Sequence, residues 1–474
     1  GCELLMRVGE EDRIRQRCIV EATYAMAGGA LEPSTERDST AQTADRRLER
    51  SDARPARAGG RRRREVDASD ELLRAAERIG ERLMAGAIRH AGGATWLTPT
   101  YHPPTGRYRL DVAPPGLYRG SCGAALFLAA LGRATGRPEF TALSRETMAS
   151  LGPTDPVRAV PSGSAGTSLA EGLAGLAYAW TRIAALLGDD SLRSDAAEWL
   201  AAVPRKPEDE PVPSDLLNGS AGVLLAHLAL YRETGADLHL QRAVERGEDL
   251  LRNRERTPSG PRAWPSMGSF LTGFAHGASG IGRALAGLAT ATGDERFAAA
   301  AREGFEFERV HRSPSEGRWA DLRPAAARDG GGHTAAHTTF GWCTGAPGIT
   351  LGRLASLAVL DEASHEDLAV GLASTRRLLL SAPADHLCCG RTGAVEVLAY
   401  AAEVLPDRAD LHAEAVDGAL RIVREAEERG DYRFRAASSA SLPPIGLLQG
   451  IAGVGYGLLR LARPGGYVSI CALD

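Results

Sequence analysis

No apolar run in the 474-residue chain reaches the roughly 18 residues needed to span a bilayer, and no secretory signal with a basic start and small-residue cleavage site opens it. Cysteine is sparse and scattered, at Cys2, Cys18, Cys122, Cys343, Cys388, Cys389 and Cys471. The single adjacent pair, Cys388 and Cys389, could form a disulfide only through a strained ring, so a secreted disulfide framework is not supported. Charge bias is also missing. Lys and Arg number 56 against 60 Asp and Glu, a net charge of −4 with no domain-wide basic stripe, which argues against nucleic acid as the main partner. These absences describe a soluble protein of the reducing cytoplasm with no membrane span. The chain starts at Gly1 instead of Met, as expected either of a sequence trimmed for expression or of the end of a longer polypeptide, and its 43% hydrophobic content is ample for a large core.

Residues 8–28 (VGEEDRIRQRCIVEATYAMAG) read as a helix, and residues 29–69 as a flexible charged linker without apolar periodicity. The run Arg61 to Arg64 inside that stretch reads as solvated charge and carries no function. From Asp70 the pattern becomes an amphipathic helix, with Leu72, Leu73, Ala76, Ile79 and Leu83 at three- and four-residue steps. Two strand-like stretches follow, TWLTPTYH and RYRLDV, joined by the turn PPTG.

The rest is helical by composition and repeats. A GxxG turn followed at once by an apolar helix begins at Gly120, Gly172, Gly219, Gly277, Gly345, Gly390 and Gly450, between 45 and 68 residues apart. That spacing suits seven helical hairpins, each turn leading into an inner helix. Glycine at these turns permits close backbone approach and positive φ. Such hairpins must bury their apolar faces on neighbours, either as an open solenoid or as a closed ring. Spacing does not decide between them; the clustering of His, Cys and Asp around the turns favours a ring, with every turn at one end of an α/α barrel.

Cys343 lies two residues before Gly345 in GWCTGAPG, and Cys388 and Cys389 immediately precede Gly390 in CCGRTG. The register brings all three thiols to the mouths of adjacent repeats. Three thiolates are a soft donor set suited to Zn²⁺ with a fourth position open; the alternative is that they are small buried hydrophobes, the reading taken for Cys122. His386 is a further possible ligand. His276, in GFAHGASG, stands at the same edge and suits proton transfer, although a lone His beside an apolar helix is commonly structural. Asp215, four residues before Gly219, suits either an N-cap or the partner of a catalytic group.

The seven repeats together with HGASG, GWCTGAPG, the cysteine pair and DLLNGSAG resemble the lanthionine synthetase C-like family, the cyclases of lanthipeptide biosynthesis, over residues 73–474. TWLTP with GLYRGSCGAALFLAALG resembles the cyclase half of the bifunctional class II (LanM-type) synthetases. Residues 1–28 would then be the tail of a preceding dehydratase-like domain, and residues 70–474 the cyclase domain. The resemblance implies an α/α toroid with zinc held by Cys343, Cys388 and Cys389. The usual pattern is Cys-His-Gly, so Cys389 stands where a histidine is commoner, as in a three-cysteine subgroup of the class II enzymes. A third thiolate makes the centre more negative and a bound sulfur more nucleophilic.

The implied reaction is Michael addition of a peptide Cys thiolate to dehydroalanine or dehydrobutyrine. His276 matches the proton donor to the enolate, and Asp215 an acidic residue that supports it. The implied partners are a precursor peptide with a leader and a dehydrated core, and a dehydratase domain or subunit. Many single-domain relatives carry an arginine shortly before the Trp-Cys, where this chain has Thr339; His337 and His333 nearby are given no role. Two rivals remain: a prenyltransferase-like zinc enzyme, whose metal set mixes carboxylate, Cys and His, and a non-catalytic helical scaffold without zinc.

Overall fold

The computed structural model describes residues 58–102, 107–152, 164–205, 212–313, 317–324, 341–434 and 442–474. The helix read over residues 8–28, linker residues 29–57, the PPTG turn, His333, His337 and Thr339 lie outside them.

Among the described residues, fourteen of the fifteen α-helices alternate as an outer and an inner set, the other being the four-residue helix Ser164–Thr167. The inner helices are α2 (Ser121–Thr135), α4 (Leu173–Leu187), α6 (Ser220–Thr234), α8 (Ala278–Thr292), α10 (Ala346–Leu354), α12 (Arg391–Val404) and α14 (Ile451–Ala462). The outer ones are α1 (Ala58–Gly86), α3 (Pro138–Ser150), α5 (Asp190–Ala201), α7 (Asp237–Arg252), α9 (Glu295–Val310), α11 (Glu362–Ser381) and α13 (Ala409–Arg429). Every inner helix packs on the next, and α14 packs back on α2, so the array closes. The outer partner of α14 is α1, from the start of the described chain, and this exchange completes the seventh hairpin. The fold is therefore an all-α toroid, the ring rather than the solenoid.

Helix α1 starts at Ala58, upstream of the Asp70 boundary drawn from periodicity. The basic run interrupts the apolar pattern, but arginine is a good helix former, so the helix continues through it. The predicted hairpin is present as β3 (Leu97–His102) paired antiparallel with β4 (Arg107–Val112), Leu97 opposite Val112. A shorter ladder, β1 (Ile88–His90) with β2 (Gly93–Thr95), precedes it, and no described sheet has more than two strands.

The inner helices are apolar on nearly every face because the ring buries every face; α2, for example, is buried from Ser121 to Gly132. None has a side-chain N-cap. The turn's own carbonyls serve instead, as when the Ser121 N–H donates to Pro114 O at 2.8 Å and Arg391 N–H to Ala384 O at 2.9 Å. Room for that fold-back explains the glycines. A Cβ on Gly390 would stand 2.4 Å from His386 O, and one on Gly393 2.0 Å from Leu387 O. The first glycine has φ of −117° in this turn, ordinary extended backbone, so close approach and not positive φ is what the motif requires. Positive φ occurs at the other end of the inner helices, at Gly136, Gly188, Gly235 and Gly293.

Backbone hydrogen bonds join the residues two before each first glycine into a closed ring. Tyr118 N–H donates to Ala170 O (2.9 Å), Ala170 to Leu217 (3.1 Å), Leu217 to Ala275 (3.1 Å) and Ala275 to Cys343 (2.8 Å). Trp342, beside Cys343, donates to Cys388 (2.6 Å), Cys388 to Leu448 (2.8 Å) and Leu448 back to Tyr118 (2.9 Å). Seven turns thus hold one another in register, with the positive ends of seven helix dipoles gathered at one face.

Away from that face, His227 on α6 and His239 on α7 stack with Nδ1 atoms 3.3 Å apart, both buried. Burial, the neighbouring His239 and the Arg246 and Arg242 charges push His227 down to about 3. The folded state therefore binds fewer protons than the unfolded one below the ordinary histidine range. Stability is held above about pH 6.5 and lost as pH falls toward the folded value. Chemical denaturation is expected to show His227→Leu losing on the order of 2 kcal/mol less than the unaltered protein between about pH 7 and pH 4.5.

Candidate metal centre

Adjacent inner-helix turns bring Cys343, Cys388 and Cys389 together. Cys343 Sγ lies 3.2 Å from Cys389 Sγ, Cys389 Sγ lies 3.4 Å from Cys388 Sγ, and all three sulfurs fall within 4.8 Å of one another. All are free thiols, and among the described residues they form the one cluster of three metal-ligating side chains. Cys388 is 1% exposed; the other two are partly open. The room for Cys389 comes from the preceding repeat, since a Cβ on Gly341 would stand 2.6 Å from the Cys389 Sγ.

The donor set fits zinc. A tetrahedral ion with Zn–S bonds near 2.3 Å places its sulfurs about 3.8 Å apart, so the pairs at 3.2 and 3.4 Å need to spread by roughly half an ångström. Three protein thiols on one open face leave a fourth position, the pattern of a catalytic rather than a closed structural site. Hydrogen bonds from Cys388 and Cys389 hold the Cys343 thiol well below its ordinary range, and Cys388 is pushed correspondingly up by its bonds to Cys343 and Cys389 and by burial. The cluster lies at the end of the toroid where the helix N-termini gather, a place that favours the thiolate form. His386 is not part of it: its Nδ1 accepts the Cys389 N–H at 3.3 Å, so it braces the cysteine loop. Cys122 is a fully buried core residue of α2, as expected.

His276 sits in the adjoining turn, and the backbone of its neighbour Ala275 is bonded to Cys343 O. Its Nδ1 lies 3.1 Å from Asp215 Oδ2, while Asp215 Oδ1 accepts the Asn218 N–H at 2.7 Å. Asp215 is therefore not the N-cap of α6; Gly219 occupies that position. With Nδ1 committed to a carboxylate, Nε2 is the ring nitrogen left to face a substrate. Burial alone would lower the His276 pKa, but the Asp215 hydrogen bond and charge, with the Cys343 charge, raise it above the ordinary value.

The scaffold behind the pair is itself tied down. Glu308 on α9 accepts the N–H groups of Gly273 (2.8 Å) and Ser279 (3.0 Å) on either side of His276, and a fully buried Arg353 from α10 pairs with it. On the other side, Asp385 Oδ1 binds Arg391 at 2.7 Å and its Oδ2 accepts the Arg433 N–H at 2.8 Å, fixing the loop that carries Cys388.

Two functional neighbours were missed in the sequence. Arg323, ion-paired with Asp321 at 2.9 Å, is a cation whose charge reaches both Cys343 and His276. It lies well before the Trp-Cys, so a search confined to the residues just upstream of Cys343 passes it by. Tyr118 donates its hydroxyl to Cys388 Sγ at 2.7 Å. A signal was present for it, because Tyr118 stands two residues before its GxxG, as Cys343 and Cys388 do before theirs. A groove of about 580 Å³ runs between the β3–β4 hairpin and the turns, bordered by Tyr101, Tyr108, Phe434, Gln449 and His386, the last of which accepts the Cys389 N–H.

An α/α toroid with a cluster of three thiols that could hold a metal ion, and a His–Asp pair beside it on the ring of turns, is the class of fold and site that the geometry defines. More narrowly, the chain belongs to the lanthionine synthetase C-like family, whose model matches residues 111–469. Among solved structures it is similar to a nisin cyclase, at 18% identity and a TM-score of 0.56, over 77% of this chain and 92% of that one. It also resembles a GH76 alpha-mannanase from Bacteroides thetaiotaomicron (11% identity, TM-score 0.46, 82% of this chain and 95% of that one). An unsaturated glucuronyl hydrolase specific for heparin is similar at 13% identity and a TM-score of 0.42, over 70% and 87% of the two chains. No curated protein sequence matches the chain. No helix among the described residues is long and apolar enough to cross a membrane.

Proposed function

We propose that this chain is a zinc-dependent lanthipeptide cyclase of the class II, three-cysteine type, acting in the cytoplasm on a dehydrated precursor peptide. The observation that carries the reading is the convergence of Cys343, Cys388 and Cys389 beside the His276–Asp215 pair on a toroid of this family. The three thiols would hold Zn²⁺, which when bound lowers the pKa of a fourth, peptide thiol.

The residues of this chain then divide the work. A peptide thiolate forms the C–S bond at the β-carbon of dehydroalanine or dehydrobutyrine, and the alkene electrons move onto the amide as an enolate. His276 delivers its Nε2 proton to the α-carbon, closing the thioether ring with no atom lost. Asp215 holds Nδ1, fixing the ring orientation and favouring the protonated imidazole needed for that step. The groove that reaches His386, whose ring is bonded to the Cys389 backbone, is large enough for a peptide segment and would carry the precursor toward the cluster. A dehydratase domain or subunit supplies the alkene.

An all-thiol donor set disfavours a prenyltransferase-like centre, whose ligands mix carboxylate, Cys and His, and a bare scaffold would contain no stoichiometric zinc. The test is incubation with dehydrated, cysteine-containing precursors, then thiol alkylation and mass measurement. Ring closure leaves the peptide mass unchanged while removing alkylatable thiols. Alkylation equal to that of the no-enzyme control across several cognate candidates overturns the reading.

A further inference from the structure

Tyr118 belongs to the first repeat, three turns round the ring from Cys343 and two from Cys388, yet its side chain ends on the thiol cluster. Its hydroxyl donates to Cys388 Sγ at 2.7 Å, a short contact for an O–H···S bond. We propose that Tyr118 is a positioning residue of the metal centre, whose O–H···S bond holds the Cys388 sulfur and draws negative charge off it. The inference rests on the zinc reading above and adds a residue that neither the family match nor the sequence motifs assign.

Charge is the first argument. Three thiolates on a divalent cation leave the centre at −1, and a fourth thiolate takes it to −2, an expensive charge at a partly buried site unless donors face the sulfurs. Of the three, Cys388 needs a protein donor most: at 1% exposed it is out of reach of water, whereas Cys343 and Cys389 are partly open. Cys343 also has the Thr344 hydroxyl only at 3.8 Å, a weak contact. Tyr118 is therefore the strongest hydroxyl donor to the cluster among these contacts.

Placement is the second argument. Tyr118 is fixed on both sides by the closed backbone ring, its N–H to Ala170 O and its C=O to the Leu448 N–H, each at 2.9 Å. Cys388 donates to Leu448 in that same ring. The tyrosine and its sulfur are thus tied to one common residue, and a movement of either is resisted by the backbone, not only by the O–H···S bond. Ala170 and Leu217 share this anchoring, so what sets Tyr118 apart is the hydroxyl that ends on the sulfur, which a side chain that merely filled space would not require.

Removing the hydroxyl leaves the Cys388 sulfur more electron-rich and less well held. Tyr118→Phe, which keeps the ring, is expected to bind zinc about 10-fold more weakly in competition with a chromophoric chelator. In the cobalt-substituted protein, the sulfur-to-metal charge-transfer band is expected to move to longer wavelength, because a sulfur without its donor gives up an electron more easily. Site-specific 3-fluorotyrosine at position 118, a stronger donor of nearly the same shape, is expected to move the band the other way. Circular dichroism checks that both variants are folded. Equal zinc affinity with an unshifted band in Tyr118→Phe overturns this inference alone; unaltered protein that binds no zinc overturns the zinc reading beneath it.

Discussion

Replacing His276 with alanine is expected to slow ring closure by about 10²- to 10⁴-fold, the range that a positioned proton donor supplies, while leaving bound zinc in place. The two effects separate because His276 is bonded to Asp215 and is not among the clustered sulfurs. The pH profile carries the sharper test. The donor works as imidazolium, so turnover falls as pH rises through its pKa. The Asp215 bond and charge and the Cys343 charge outweigh burial and raise that pKa above the ordinary histidine value. The alkaline limb of kcat is therefore expected above about pH 6.5. Asp215→Asn keeps the hydrogen-bonding shape but removes a negative charge, so its limb is expected to move to lower pH. A limb that stays put in Asp215→Asn, or near-normal turnover in His276→Ala, would assign the proton to another group.

Much of the centre was legible because the chemistry is attached to a repeat. Once seven GxxG turns are aligned, Cys343 and Cys388 fall at the same offset, and adjacency in a ring follows from adjacency in the repeat order. What the alignment could not give was which offsets touch. In the structure the residue four before a first glycine meets the residue one before the next repeat's first glycine. That rule pairs Asp215 with His276 and sets Gly341 against Cys389. It follows from which residues of one turn bond to the next, contacts that spacing does not encode. Ring closure was also beyond the spacing, because it depends on α14 meeting both α2 and α1, contacts between opposite ends of the described chain. The start of α1 was misplaced for a local reason: Arg61 to Arg64 erase the apolar stripe without breaking the helix.

The closed hydrogen-bond ring explains how such distant residues make one precise site. Each turn is short of side-chain caps and satisfies its polar groups on itself and on its neighbour, so no turn can shift without breaking bonds in the next. Functional side chains ride on this rigid ring as substitutions at a few offsets. Glu308 and Asp385 add supports at the two turns that carry His276 and the cysteine pair.

Cys389→Ala is expected to weaken zinc binding by more than the roughly 10- to 100-fold that loss of an outer-shell partner costs, because it removes a ligand itself. Metal analysis after dialysis is expected to show about one zinc per chain before the change and little after it. Thermal unfolding offers an independent reading. A metal that binds only the folded chain raises its stability by about 2.7 kcal/mol when present at 100 times its dissociation constant. A chelator should therefore lower the unaltered protein's Tm while leaving that of Cys389→Ala unmoved. Full zinc retention in the variant would remove Cys389 from the ligand set and return it to the role of a small apolar residue. Cys389→His makes the complementary case. Imidazole is a zinc ligand without the thiolate's charge, so zinc is expected to stay while the centre becomes less negative. The bound peptide sulfur then attacks more slowly, and the variant is expected to lose turnover without losing metal. If Cys389→His instead cyclises as fast as the unaltered protein, the third thiolate serves only to hold the ion, and the extra negative charge that Tyr118 helps to offset has no part in the rate.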